Sequence, residues 1–200
     1  MKITALMVLN CYGVTEPNPI ILAKACDISK FRFFIRRGVG EFIVFVGRTV
    51  AQDTLPGQRQ SVQHEAYKVH SYNMNNLCAL GFMDDHYPVR SAFYVLHKVL
   101  NEYEKNFDDS WKSAQADAAQ PWPYLTEALK KFQDPTEADQ FLNIQRELDE
   151  TRFILHETVD RVLTRGEKLD NLVEKSADLS AASRTFYKKA KDTNQFCPIL

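Results

Sequence analysis

The sequence predicts an α+β domain, an antiparallel sheet with flanking helices, over residues 1–133, followed by one C-terminal coiled-coil helix. Three observations predict this class. Stretches of strand and helix periodicity follow one another through the first 133 residues, in the order two strands, a helix, further strands and two helices. Helix-start signals then gather at Gln133–Glu137. From Phe141 onward the apolar residues recur with heptad spacing, which is typical of a coiled coil.

Composition and charge restrict the classes of protein that the chain can belong to. The 200 residues are 44% hydrophobic, enough for a core, and their net charge of −1 provides no overall positive field for nucleic acid. The four cysteines lack metal-ligand spacing and are typical of reduced thiols. No stretch approaches the roughly 20 apolar residues of a membrane-spanning helix, so we expect any membrane attachment to use another route.

The first elements are predicted from their apolar runs. Ile3–Leu9 and Ile20–Ala23 are apolar and are separated by a loop with glycine, proline and asparagine, which predicts a hairpin. The aromatic and basic stretch Ser29–Arg37 follows. A helix is predicted from Gly38 to about Thr54, where apolar residues recur at helical spacing. Leu55-Pro56-Gly57 then has the composition of a turn.

The second half of this domain contains two more strands and two helices. Tyr67–Tyr72 alternates in polarity and Leu77–Met83 is a dense apolar run, so both are predicted to be strands. A helix is expected from Pro88 to about Phe107, with proline in its first turn. Asp108–Gln120 is polar and is expected to be an exposed connection. Trp122–Phe132 has the spacing of a short amphipathic helix.

A domain boundary is predicted after residue 133. Asp134 is a candidate N-cap, Pro135 suits the first helical position, and Glu137 follows the cap by three residues. The heptads begin directly afterwards. If this helix forms along its full length, it is roughly 80 Å long at 1.5 Å per residue.

We call the sixteen heptad core positions from Phe141 to Thr193 the seam. Five of them are threonine or serine: Thr151, Thr158, Ser176, Ser183 and Thr193. Ten are apolar: Phe141, Ile144, Leu148, Leu155, Val162, Leu169, Leu172, Leu179, Phe186 and Ala190. The remaining position is Arg165, whose charge is costly to bury without a polar partner. Either the helix stays exposed there or a partner supplies acceptors. A homodimer would place two Arg165 side chains together, so like-charge repulsion favours a bundle with unlike partners.

Several segments resemble a known family. Ser29–Arg37, Pro56–Ser61 and Tyr87–Arg90 resemble the longin domain, and Asp160–Leu172 resembles the core of the R-SNARE motif. Over essentially its whole length the chain is similar to the Ykt-type lipid-anchored longin R-SNAREs of the synaptobrevin family. The resemblance implies an N-terminal longin domain at residues 1–133 and an R-SNARE coiled-coil motif at residues 134–195.

The resemblance also implies a function. The R-SNARE motif would contribute one helix to a parallel four-helix bundle with three Q-SNARE helices (Qa, Qb and Qc), and Arg165 would meet their glutamines in a central ionic layer. The chain would drive vesicle docking and fusion, moving between the cytoplasm and the cytosolic face of Golgi, endosomal, vacuolar and vesicle membranes. Neither catalysis nor a cofactor is expected. The alternative is a longin-domain adaptor or scaffold whose heptad tail binds a partner without driving fusion.

The resemblance extends to a lipidation site. Residues 196–200 correspond to a prenylation box in which Cys197 would carry a geranylgeranyl group, favoured by the final leucine, or a farnesyl group. Members of the family carry a second cysteine directly before this one. Phe196 occupies that position here, so the sequence offers a single lipidation site.

The resemblance places Phe45 in an exposed apolar groove that receives the R-SNARE segment. Because an uncovered prenyl group and an apolar helix face would invite aggregation, we expect the longin domain to cover its own R-SNARE motif, on the helix carrying Phe42, Phe45 and Thr49 beside the strand Tyr67–Tyr72. In this closed form the segment would wrap the domain as broken helices, and Phe45→Glu is expected to open it.

Overall fold

The structure is a computed structural model that describes residues 2–12, 18–64, 67–118, 121–139, 151–161, 163, 168–176 and 179–193. Among these residues six strands form one sheet in the order β2-β1-β5-β4-β3-β6. The strands are β1 (Ile3–Asn10), β2 (Ile20–Cys26), β3 (Gln58–His64), β4 (Tyr67–Met74), β5 (Leu77–Asp84) and β6 (Arg152–His156).

Helices cover both faces of the sheet. They are α1 (Phe33–Gln52), α2 (Val89–Phe107), α3 (Pro123–Lys131), α4 (Thr136–Asp139), α5 (Leu169–Lys175) and α6 (Ala181–Thr193), with 3₁₀ turns at Asp108–Ser113 and Val159–Arg161. α1 packs on one face, and α2 and α3 pack on the other. The apolar side chains of β1 alternate between these two layers, which explains why the whole strand is buried.

Most of the predicted elements are confirmed. β1 pairs antiparallel with β2 as the predicted hairpin, and β4 and β5 are joined by a turn at Asn75 and Asn76. The helices predicted from Pro88 and from Trp122 are present as α2 and α3. These elements share long, strongly periodic apolar stretches, the most reliable signal in a sequence.

α1 begins at Phe33, although the spacing predicted a start at Gly38. Tertiary contacts explain the additional turn. The Arg36 guanidinium donates hydrogen bonds to the carbonyl oxygens of Phe31 and Ser29, at 2.9 and 2.8 Å, and Phe31 is buried. These tertiary contacts stabilise the first turn of α1, and the spacing of apolar residues along the sequence does not reveal them.

β3 was not predicted because its sequence is polar. Gln58, Gln60 and Ser61 are nevertheless buried. Gln60 donates from Nε2 to the carbonyl oxygen of Val50 and to Oγ1 of Thr54, so the N–H groups of its side-chain amide are paired inside the protein. Hydrogen bonds of this kind permit a polar strand in the interior.

The expectation that Asp108–Gln120 is an exposed connection is wrong for part of this stretch. Trp111 lies in a 3₁₀ turn and is buried, and Asn10 donates from Nδ2 to its carbonyl oxygen at 2.9 Å. Asp117 accepts a hydrogen bond from the backbone N–H of Ile21, also at 2.9 Å. The connection therefore anchors β1 and β2.

The C-terminal segment is not one continuous helix, contrary to the 80 Å helix expected if it forms fully. Its described residues form β6, a 3₁₀ turn, α5 and α6. β6 runs parallel to β3, in register from Gln58 with Arg152 to Val62 with His156, so the sheet is mixed rather than purely antiparallel. The segment folds in this way because β3 offers an unpaired backbone edge and α1 offers an apolar face within the same chain.

Candidate functional site

The candidate site is the outer face of α1 together with the segment that covers it. Phe42 of α1 is buried at 4% exposure. Its ring stacks on Tyr187 of α6 with centroids 5.4 Å apart and meets Phe186 edge to face at 6.4 Å. α1 and α6 are therefore joined through an aromatic cluster.

α6 crosses α1 at Gly38. A Cβ atom placed on this residue would lie 3.5 Å from the Cα atom of Ser183 and from the Cβ atom of Phe186. The missing side chain lets the two helix backbones approach closely. This crossing places the start of α6 beside the Glu41 carboxylate.

Glu41 binds the N-terminus of α6. Its Oε2 accepts hydrogen bonds from the backbone N–H of Ser180, at 3.1 Å, and from Oγ of Ser183. Its Oε1 forms an ion pair with Nε of Arg37 at 2.9 Å. Burial raises the pKa of Glu41, but the hydrogen bonds from Ser180, Ser183 and Arg37 outweigh it and lower the pKa to about 2. The carboxylate is therefore charged at neutral pH and acts as an external helix cap.

α5 and α6 are also fastened to each other. The Tyr187 hydroxyl donates to Asp170 at 2.7 Å, and the Arg184 guanidinium donates to the carbonyl oxygen of Ser176 at the same distance. At the start of α5, Asp160 accepts a hydrogen bond from the backbone N–H of Leu169. These contacts join the 3₁₀ turn at Val159–Arg161, α5 and α6 to one another on the surface of α1.

β6 attaches the same segment to the far edge of the sheet. Phe153 meets Phe93 of α2 edge to face, with ring centroids 5.5 Å apart. The guanidinium carbon of Arg59 lies 5.1 Å from the Phe93 ring centre and 5.9 Å from that of Phe153. The segment thus contacts both helical layers of the domain.

A small apolar cavity of about 40 Å³ lies between α1 and the sheet. Phe31, Val39 and Phe42 form part of its wall, with Val69 and Phe82 from the sheet. Phe42 therefore borders both this cavity and the aromatic cluster with Tyr187.

The structure places the predicted groove residues together on α1, where Phe42 is buried and Phe45 and Thr49 are half-buried. Of the seam, Leu169 and Leu179 are buried, Leu172 and Phe186 are half-buried, Leu155 is exposed, and Ala190 lies in α6. Other predicted residues lie outside the described residues: Phe141, Ile144, Leu148, Val162, Arg165 and Cys197.

Sequence reasoning missed Gly38, Glu41 and Tyr187 as parts of this surface. Glu41 and Ser183 are 142 residues apart in the chain, so no local motif connects them. Tyr187 lies beside the seam rather than on it, and the heptad pattern therefore gave it no role.

The described residues contain neither a helix long and apolar enough to cross a bilayer nor a cluster of histidine, cysteine and acidic side chains arranged for a metal ion.

Comparisons with known proteins agree with this architecture. Residues 28–122 match the Longin family, described as a regulated-SNARE-like domain, and residues 140–197 match the Synaptobrevin family. The chain is 67% identical to VAMP-like protein YKT61 of Arabidopsis thaliana, with all of both chains covered. It is 42% identical to synaptobrevin homolog YKT6 of Saccharomyces cerevisiae, covering 90% of this chain and 91% of the yeast protein.

Proposed function

The chain belongs to the synaptobrevin family, as a longin-domain R-SNARE of vesicle traffic and not an enzyme, and from this premise we propose how its two parts work together. Residues 134–195 form one helix of a parallel four-helix bundle with Qa, Qb and Qc helices. The longin domain, residues 1–133, holds the same segment in a closed form until those helices compete for it.

One observation carries this proposal: seam residues are buried against the longin domain. Leu169 is 4% exposed and Leu179 is 3% exposed, and both belong to the apolar cluster around α1. The same side chains would form layers of the four-helix bundle. A side chain cannot be buried in both places, so binding to α1 and assembly of the bundle exclude each other.

For a single seam residue, burial against α1 and burial in the four-helix bundle contribute similar free energies. Burying one leucine side chain contributes about 1.5–3 kcal/mol in either place. The bundle adds the seam residues that remain exposed in the closed form, such as Leu155 at 64% exposure. Partners therefore shift the population by offering more burial to the same chain, as expected for ligands that bind one of two states.

Arg165 would fix the register of the bundle. Its guanidinium needs acceptors in a buried layer, and glutamine side chains from three unlike helices supply them. A bundle shifted along its axis would leave this charge unpaired. The layer thus provides specificity as well as stability.

Cys197 is the proposed membrane anchor, through a geranylgeranyl or farnesyl group that holds the chain on the cytosolic face of Golgi, endosomal, vacuolar and vesicle membranes. Cys197→Ser should release the protein from membranes and abolish fusion. Membrane pelleting after a high-salt wash tests this, with Cys26→Ser as the matched control. A Cys197→Ser protein that still pelleted would contradict the anchor.

Assembly with purified Q-SNARE helices tests the function itself. The full chain should form a stable four-helix complex and, when anchored on vesicles, cause lipid mixing with vesicles that carry the Q-SNAREs. Tight binding to one helix without lipid mixing would instead support the adaptor function, in which the heptad tail recruits a partner only.

A further inference from the structure

Two phenylalanines are almost fully exposed to water at the start of α1. Phe33 is 77% exposed and Phe34 is 89% exposed, and their rings contact each other edge to face at 6.1 Å between centroids. Ile35 beside them is 36% exposed. A single exposed apolar side chain is ordinary, but adjacent large ones form a continuous apolar surface that usually marks a binding site.

The same stretch is strongly basic. Residues 30–37 contain Lys30, Arg32, Arg36 and Arg37 and no acidic residue, although the whole chain has a net charge of −1. Arg32 is exposed, as is the side chain of Arg37 at 83%. Because Arg37 lies one helical turn after Phe33 and Phe34, its charge is on the same side of α1 as the two rings.

This start of α1 departs from the usual rules for a helix. The first turn has no side-chain hydrogen bond at its N-cap and no acidic residue. Basic residues near the positive end of the helix dipole cost some stability, and so do exposed aromatic rings. Departures from local rules tend to occur at functional sites, so these residues serve a need other than helix stability.

The backbone that carries Phe33 and Phe34 is held in place by neighbouring side chains. The Arg36 guanidinium donates to the carbonyl oxygens of Phe31 and Ser29, and the Phe31 side chain is buried in the core under α1. The backbone carrying Phe33 and Phe34 is therefore fixed before any partner binds, which reduces the entropy cost of binding.

We propose that Phe33, Phe34 and Ile35, flanked by Arg32 and Arg37, form a surface that inserts into the interface of a bilayer rich in anionic phospholipids. Aromatic side chains favour the headgroup level of a membrane, and basic residues are attracted to anionic lipids. Arg37 also forms an ion pair with Glu41, but residues 30–37 together carry four basic side chains and no acidic one, which suits the anionic surface of a deformable lipid layer. An R-SNARE already works at membranes.

This inference goes beyond the proposed function and needs neither the lipid on Cys197 nor the closed form. Its consequence is a second membrane contact, located on the longin domain. One lipid chain binds a membrane only marginally, and stable attachment usually takes two signals. The α1 surface would provide a second signal beside the lipid proposed on Cys197.

Co-sedimentation of the unlipidated full chain with vesicles tests the proposal. One set of vesicles contains phosphatidylcholine alone, and the other also contains about one third phosphatidylserine. The test variant is Phe33→Ser/Phe34→Ser, and Phe33→Trp/Phe34→Trp keeps the aromatic character. Leu55→Ser is the matched control, because Leu55 is 60% exposed just beyond the other end of α1. Thermal unfolding verifies that each variant is folded.

We expect binding to anionic vesicles alone, weakened by salt because the attraction is partly electrostatic. The serine variant should bind about ten- to a hundredfold more weakly, since each of the two rings contributes up to about tenfold on leaving water. The tryptophan variant should bind at least as well as the native chain, and Leu55→Ser should bind unchanged. Equal binding to both kinds of vesicle, or equal binding by the folded serine variant, would overturn the proposal. If the serine variant still bound vesicles but no longer bound a protein partner of the native chain, the surface would be a protein-binding site, and the proposal would be wrong.

Discussion

Oε2 of Glu41 accepts a hydrogen bond from Oγ of Ser183, so a carboxylate in the first domain holds a residue of the seam. Ser183 is fully buried in this contact. The same Glu41 oxygen also accepts the backbone N–H of Ser180, one residue before α6 begins. One acidic side chain thus fixes where α6 starts and keeps a seam position away from other helices.

Removing this carboxylate should loosen α6. Glu41→Ala deletes both hydrogen bonds to Ser180 and Ser183, which we expect to cost about 1–2 kcal/mol because the site is partly open to water. Hydrogen exchange should then speed up roughly five- to thirtyfold at the backbone amides of α6. Glu102→Ala on α2, which loses only a surface ion pair with Lys105, is the control. Unchanged exchange in α6 would show that Glu41 does not hold the segment.

His70 should make the stability of the longin domain depend on pH. Burial lowers the pKa of His70 from 6.5 to about 3, with a further decrease from Lys68, and Nδ1 hydrogen bonds to Ser61 at 2.7 Å. The folded protein keeps this imidazole neutral, whereas the unfolded chain binds a proton below pH 6.5. Its contribution to stability is therefore fully present above pH 6.5 and is lost progressively as pH falls towards 3.

Urea unfolding at pH 7.5 and pH 5.5 measures this effect. Protonation of His70 in the unfolded chain should lower the free energy of unfolding by about 1.4 kcal/mol at pH 5.5. His70→Gln should remove that part of the pH dependence even if the variant is less stable at both values. If the native protein and His70→Gln showed the same pH dependence, the pKa of His70 would be the same in the folded and unfolded states, and the prediction would be wrong.

Arg165 is the residue predicted to align the bundle. Arg165→Gln should weaken assembly with the three Q-SNARE helices, because the buried layer would lose its charge-assisted hydrogen bonds. Placing arginine at the matching glutamine of one partner should restore assembly. Thermal stability of the four-helix complex measures both effects. An Arg165→Gln complex as stable as the native one, with no gain from the compensating change, would argue against an ionic layer.

The sequence-based predictions succeed where one local signal dominates. β1, β5 and α2 are long and apolar with a clear period, and tertiary contacts reinforce what the residues already favour. β3 lacks such a signal, because its Gln60 and Ser61 are stabilised by hydrogen bonds to residues elsewhere in the domain. The local sequence of β3 therefore gives no signal from which a strand could be predicted.

The C-terminal segment shows why a site can be predicted only in part. Heptad spacing describes a helix in a bundle, yet Phe153 and Ile154 also have good strand propensity and lie in β6. The choice depends on which surface is available. Phe42 and Phe45 were correctly placed on one helix, but nothing local indicates that Phe42 stacks on Tyr187.

Tyr187 provides the most direct test of the claim that α1 and the Q-SNARE helices compete for one segment. It is 7% exposed, stacks on Phe42 and donates to Asp170, but it lies outside the seam. Tyr187→Ala should therefore weaken the closed form, by about 2–3 kcal/mol for a lost aromatic contact, and leave the bundle layers intact. Tyr187→Phe, which loses only the hydroxyl, should have a smaller effect.

The measurement is the rate at which the full chain assembles with the three Q-SNARE helices, followed by fluorescence for the native protein and both Tyr187 variants. The account predicts assembly about thirty- to 150-fold faster for Tyr187→Ala, an intermediate rate for Tyr187→Phe, and the same melting temperature for all three complexes. An unchanged or slower rate for Tyr187→Ala, with the complex equally stable, would contradict the account.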